Sequence, residues 1–378
     1  MLYRYTTNTG GTPLQKAVIY TKKEHSIDPE KVDNDAKRIV KSLQQFGHDA
    51  YIVGGAVRDL LLGKSPKDFD IVTDATPARI KKLFRTARII GKRFRLVHIH
   101  SGEKIFEVST FRSLEDGTVG NRYGAMDDDA LRRDFSLNAL YYDPLNECVI
   151  DYVGGIRDIS KRCIVPVIPL ATIFSEDPVR IIRAIKYAAM TGFNLPFALR
   201  RQIRQDAWRL QEISPSRITE ELFKIIDSGH SADIVSSAIK QDIYRYLQPE
   251  AASRLAENTA FARQYLAHLK KMDIVHKLSP KIQRGEKLTF MLVDYFSLLA
   301  DWGQEYADGK SGTELYLQAW TGCRNFIRPM NPPCKEFDVA VRSMLKQFGV
   351  TVTGEGFVRR PRHRAKPDNL SQVLVSGQ

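Results

Sequence analysis

The stretch Tyr51–Thr73, YIVGGAVRDLLLGKSPKDFDIVT, decides how this chain is read. Its apolar start, Tyr51-Ile52-Val53, predicts a strand that runs into Gly54-Gly55. Arg58 opens a short helix that stops at Gly63, and Asp68-Phe69-Asp70 then arrives inside a second apolar strand, Phe69 to Val72. Two carboxylates at i and i+2 on a strand point to one face. Such a pair suits Mg²⁺, which takes carboxylate oxygens and completes its shell with water and substrate phosphates. Mn²⁺ is an alternative ion for the same donors. A glycine turn feeding a helix N-terminus supplies backbone N–H groups to hold those phosphates. Each element alone has a plainer account, a tight turn or a solvated strand edge. Together, about one helix apart, they imply nucleotidyl transfer.

Composition sets the frame. A chain of 378 residues is expected to form two or three domains, and 43% hydrophobic content supports a sizeable core. No run approaches the roughly 18 apolar residues of a membrane span, so no membrane partner is expected. A net charge of +13 points to a polyanion, nucleic acid before membrane. Cys148, Cys163, Cys323 and Cys334 contain no C-x-x-C pair, which argues against zinc and against a disulfide framework and fits a reducing compartment. The first 23 residues carry Arg4, Lys16, Lys22 and Lys23 and no acid, without the apolar core of a secretory signal. They read as the basic leader of a cytoplasmic protein, with a mitochondrial transit peptide as the alternative.

The expected organisation is a leader over residues 1–27, an α/β head over 28–160, a helical neck over 161–230, a helical body over 231–350 and a basic, disordered tail over 351–378. Asp28-Pro29 reads as a helix start, followed by Val32, Ala36, Ile39, Val40, Leu43 and Phe46 at helical spacing until Gly47. Thr76-Pro77 starts another helix through Phe84, and short strands follow at Ile89-Ile90, Leu96 to Ile99 and Ile105 to Phe111. From Ile173 onward the apolar period is helical. In the tail, Arg359, Arg360, Arg362, Arg364 and Lys366 offer phosphate contacts for RNA or simply a solvated basic end.

Three further clusters could carry chemistry. Two-metal phosphoryl transfer needs more than two carboxylates; Glu107, set in an apolar strand where an unpaired acid is costly, is the candidate third ligand. A salt bridge to Arg112 or another cation is its plainer role. Arg132-Arg133-Asp134, after the acids Asp127-Asp128-Asp129, can orient a ribose hydroxyl and offset triphosphate charge, or form an ion-pair cluster. Asp177-Pro178 reads as a helix cap. Asp177 and Arg180, at i and i+3, also offer an acceptor and a donor fork to a base edge bearing an amino group beside a ring nitrogen. Adenine and cytosine both fit. His98 and His100 read as structural or RNA-contacting rather than as a metal pair.

YIVGGAVRD, DFDIVT, RRDFSLNAL and EDPVRIIRA, over roughly residues 25 to 230, resemble the ordered motifs of the class II nucleotidyltransferases, bacterial poly(A) polymerases and CCA-adding enzymes. The resemblance implies a polymerase-beta-like α/β nucleotidyltransferase head followed by an all-helical C-terminal half. By motif, Asp68 and Asp70 would hold Mg²⁺, Asp134 would join the active site, and Gly54, Gly55, Arg58, Arg112, Arg133, Asp177, Arg180 and Arg183 would bind nucleotide. Residues 89–100, the His25-Ser26-Ile27 lead-in and the basic tail are similar to the poly(A) polymerase branch, which implies ATP and an RNA 3′ end as substrates. A CCA-adding enzyme and a non-catalytic RNA-binding protein are the rivals.

Overall fold

The computed structural model describes residues 2–7, 13–91, 96–113 and 124–353. The basic cluster at 359–366 and Lys92 to Arg95 of the 89–100 segment lie outside them. The chain forms two compact units, one of residues 1–278 with 327–331 and one of residues 279–326 with 332–378.

The first unit is organised by a sheet of strands β1 (Leu2–Thr7), β2 (Pro13–Tyr20), β3 (Ala50–Val53), β4 (Asp70–Thr73), β5 (Ala87–Ile90), β6 (Leu96–Ser101), β7 (Lys104–Thr110), β8 (Leu140–Asp143) and β9 (Cys148–Asp151). Their spatial order is β1-β2-β9-β8-β3-β4-β7-β6-β5. Every pairing is antiparallel except β4 with β7. The two central strands β3 and β8 are buried along their whole length, as uninterrupted apolar runs require. Between the strands lie α1 (Asn34–Gln45), α2 (Gly55–Leu61), α3 (Pro77–Leu83), α4 (Met126–Leu131) and α5 (Gly155–Ser160).

Within residues 1–27, expected as a leader, β1 and β2 instead extend the sheet. Val18, Ile19 and Tyr20 of β2 pair with Asp151, Ile150 and Val149 of β9. The first helix also starts later than expected. Asp28 caps only a short 3₁₀ turn, Pro29–Lys31, and α1 begins one turn on, where Asp33 accepts from the N–H groups of Asp35 and Ala36. Two successive capping signals stand in the sequence, and the apolar face Ala36, Ile39, Val40, Leu43 selects the second.

The helical part of the first unit comprises α6 (Ile173–Glu176), α7 (Val179–Thr191), α8 (Phe197–Asp206), α9 (Pro215–Ile226), α10 (Ser231–Lys240), α11 (Tyr244–Leu247), α12 (Pro249–Glu257) and α13 (Thr259–Leu278). The expected division between neck and body at residue 230 is not a boundary, because α10 packs on both α7 and α13. The chain divides after Leu278. Amphipathic period shows that a helix buries a face; it does not show which neighbour covers it. In the second unit, α14 (Arg284–Leu299), α15 (Trp302–Ala307), α16 (Gly312–Phe326) and α17 (Cys334–Gln347) enclose Leu292, Phe296, Trp302, Phe337 and Val341. Among the described residues no helix is long and apolar enough to cross a membrane.

Candidate active site

Sheet register builds the site. Val53 of β3 pairs with Asp70 on one side and with Tyr141 on the other. On β7, Val108 stands opposite Ile71, so the parallel register carries Glu107 alongside Asp70. Tyr141, Val53, Asp70 and Glu107 therefore form one row across four strands, and period-two alternation keeps the row on one face. Val53 and Tyr141 of this row also belong to an apolar cluster that includes Tyr51, Val72, Phe111 and Ile150.

Asp70 is reachable by solvent yet crowded. Burial, together with the nearby carboxylates of Glu107 and Asp68, pushes its pKa up to about 6 against the pull of Arg133. Asp68 lies just before β4 rather than within it, separated from Asp70 by the buried Phe69. Glu107 differs from expectation too. Its side chain is 46% exposed and lies 3.9 Å from His98 Nε2, so burial cost does not explain its presence. Among the described residues no three His, Cys, Asp or Glu side chains form a ready-made metal cluster. The donor chemistry nevertheless fits a divalent cation, because mutually repelling carboxylates are the groups such an ion would relieve.

The glycine turn follows β3. Gly54 adopts φ +73°, the left-handed region that favours glycine, and caps α2. A Cβ there would stand 3.7 Å from Arg133 Nη1, so the turn runs directly beneath that guanidinium. Arg58 is buried and its donors are engaged. Its Nε reaches Asp59 at 2.9 Å, its Nη1 donates to Asn138 Oδ1 at 2.9 Å, and its guanidinium lies 5.4 Å from the centre of the Tyr187 ring. Arg58 is thus a strut joining α2 to Asn138 and α7, beside Gly55.

Above this turn stands a concentration of arginines. Arg133 donates to Asp129 Oδ2 at 2.7 Å through Nη2 and at 3.1 Å through Nε. The Tyr141 hydroxyl donates to the same carboxylate oxygen at 2.8 Å. Burial opposes the charge on Arg133, but Asp129 and Tyr141 outweigh it and raise its pKa. Arg132 shows the opposite balance. Burial, then repulsion from Arg112, Arg133 and Arg180, lowers its pKa against the pull of Asp129. Three guanidinium groups close enough to repel Arg132 make an arrangement that a polyphosphate would neutralise. The doubled arginine before Asp134 is the sequence signal for Arg132, read there as offsetting triphosphate charge.

Asp134 ties this cluster to the helices. It accepts from its neighbour Phe135 N–H at 2.8 Å and stands 3.6 Å from Arg183 Nη1. Arg183 also lies 3.7 Å from Glu221, a buried carboxylate on α9 that pairs with Lys186 at 3.2 Å and Lys224 at 2.9 Å. Asp177 and Arg180 do not share one helical face, because Asp177 precedes α7. Nor does the structure pair them. Arg180 donates to the Ile173 carbonyl and to Glu176, whereas Asp177 is held by Arg217 Nη2 at 3.0 and 3.1 Å. Arg217 and Glu221 sit on α9, one turn apart. Neither belongs to a local motif, and only the folded chain brings them to α7.

Residues 50–165 match the Poly A polymerase head domain, and residues 192–255 match the family described as the probable RNA and SrmB-binding site of polymerase A. The chain is 33% identical to poly(A) polymerase I of Salmonella typhimurium over 316 residues, which is 79% of this chain and 67% of that protein. The chain belongs to the class II nucleotidyltransferases, the family of bacterial poly(A) polymerase I and the CCA-adding enzymes. Poly(A) polymerase I of Escherichia coli O157:H7 is 35% identical over 259 residues, 64% of this chain and 56% of that protein. The chain thus spans little more than half the length of that relative. A CCA-adding enzyme from Geobacillus sp. is 36% identical over 216 residues, 55% of this chain and 53% of that protein. Among solved structures, a Bacillus stearothermophilus CCA-adding enzyme in complex with CTP is similar with a TM-score of 0.56 and 26% identity, covering 83% of this chain and 81% of that one. Nucleotidyltransferases of this kind generally use divalent metals.

Proposed function

We propose that this chain adds AMP from ATP to RNA 3′ ends without a template. The reading is carried by one observation: the Asp70–Glu107 row lies within reach of Arg133, which with Arg112 and Arg180 crowds the guanidinium of Arg132. Carboxylates beside a cationic recess suit a triphosphate whose charge must be held while a hydroxyl attacks its α-phosphorus.

Asp68 and Asp70, with Glu107, would hold Mg²⁺ or Mn²⁺. The bound ions supply Lewis acidity toward the 3′-hydroxyl and the pyrophosphate leaving group. The protein's own part is positional. Arg132 and Arg133 hold phosphate oxygens, Gly54 lets the backbone pass beneath Arg133, and Asp134 sets Arg183. Asp177, its carboxylate fixed by Arg217, presents an acceptor toward the base.

The choice of AMP over a CCA end rests on the likeness of residues 89–100 and of the His25-Ser26-Ile27 lead-in to poly(A) polymerases. The CCA reading has its own support in the Geobacillus relative and the CTP-bound neighbour. An extension assay with Mg²⁺, an unstructured RNA, a tRNA lacking its 3′ end and each NTP alone or mixed decides between them. A long ladder from ATP alone is the expected result. Growth that stops after three nucleotides and requires CTP would show the rival activity. RNA binding without extension would reject both.

Arg217→Ala is expected to raise the KM for ATP about tenfold with a smaller change in kcat, as loss of a charge-assisted contact that orients a binding group predicts. Steady-state kinetics with Arg217→Lys alongside checks this, since lysine keeps the charge without the fork.

A further inference from the structure

We infer that α8 and the turn after it form a ridge that grips single-stranded RNA by stacking and phosphate contact. This rests on the polymerase reading above. Leu199, Ile203, Ala207 and Leu210 bury one side of the segment. The other side carries Phe197, 73% exposed, and Trp208, 48% exposed. Arg200, Arg201 and Arg204 are exposed between them. Phe197, Arg201 and Arg204 follow one stripe of α8, and Trp208 stands in the 3₁₀ turn Ala207–Glu212 that follows it, so two rings bracket the arginines along the chain.

The charges on this stripe are open. Among the described residues no hydrogen bond or ion pair engages the side chains of Arg200, Arg201 or Arg204. The nearby acid does not offset them, because Asp206 is held by Arg209 at 3.1 Å and by the Gln202 amide at 2.8 Å. Arg209 also lies 4.7 Å from the centre of the Trp208 ring, which braces that ring in an outward position. Large rings left exposed beside unpaired arginines form no continuous apolar patch for a protein partner. They match a strand that offers bases to stack and phosphates to neutralise. A duplex keeps its bases stacked inside, so the ridge selects single strands. The matched RNA and SrmB-binding region covers this segment but names neither the face nor the form of RNA.

The test uses the full chain, an unstructured oligoadenylate and a blunt RNA duplex of equal length. Anisotropy of a dye-labelled strand gives the affinity, because the Trp208 variants would lose a tryptophan reporter and Trp320 is only half-buried. The wild-type protein should bind the single strand more tightly than the duplex. Phe197→Ala and Trp208→Ala should each weaken single-strand binding by about tenfold, and Trp208→Phe should restore most of it. Replacing Arg200, Arg201 and Arg204 together by glutamine should flatten the dependence of log affinity on log salt by about 2. Wild-type binding with unchanged affinity and slope in these variants would overturn the ridge while leaving the polymerase reading intact. Equal binding of duplex and single strand would overturn the stacking. Failure of the wild-type protein to bind RNA at all would overturn both.

Discussion

Asp70→Asn is expected to lower AMP transfer by about three orders of magnitude while leaving a folded protein. Asparagine keeps the size of the side chain and removes the charge that would bind the divalent ions. Several kcal/mol of transition-state stabilisation goes with them, and each 1.36 kcal/mol is tenfold in rate. The fold should not suffer. Burial and the neighbouring Glu107 and Asp68 raise the Asp70 pKa to about 6, from 3.8, so above that pH its negative charge opposes folding. The variant should therefore melt no lower than wild type at neutral pH in the presence of a chelator. Single-turnover extension gives the rate, and calorimetry gives the melting temperature. Undiminished extension by this variant would refute the role of Asp70.

The second large effect concerns stability. Glu221 is 3% exposed and is the shared partner of Lys186, Lys224 and Arg183. Glu221→Ala is expected to destabilise the first unit by about 3–5 kcal/mol, because it leaves the buried Lys186 ammonium without its carboxylate. Burial already lowers the Lys186 pKa despite that carboxylate. A paired replacement, Lys186→Met with Glu221→Leu, should recover most of the loss, since matched apolar groups carry no desolvation penalty. Urea unfolding of the single and double variants gives the coupling directly. The pH dependence has a defined sign. Burial works to raise the Glu221 pKa, but Lys186, Arg183 and Lys224 outweigh it and lower the value below 4.5. The stability it contributes is present above about pH 4.5 and is lost as pH falls through the depressed folded value.

These expectations separate what the sequence shows locally from what folding adds. The glycine turn between two apolar strands, the helix stop at Gly47 and the helical second half were all legible, because each is written in neighbouring residues. Strand β2 is less legible: Ala17-Val18-Ile19-Tyr20 is an apolar run, but it sits in an acid-free stretch of 23 residues that has the composition of a basic leader. The sequence argument for Glu107, burial of its carboxylate, does not hold. The register across β4 and β7 puts it beside Asp70. Arg217 could not be found at all. It meets Asp177 across 40 residues of chain, and no periodicity encodes such a meeting.

The parallel pairing of β4 with β7 has a consequence for how the protein acquires its chemistry in time. The glycine turn and Asp70 come from one short stretch and can form through local contacts. Glu107 reaches Asp70 only after the chain from β4 has crossed over through α3, β5 and β6. Closing a loop of that length costs entropy before any contact repays it, so the acid row is a late event in folding. During synthesis, the glycine turn and Asp70 should therefore be in place before Glu107 joins them.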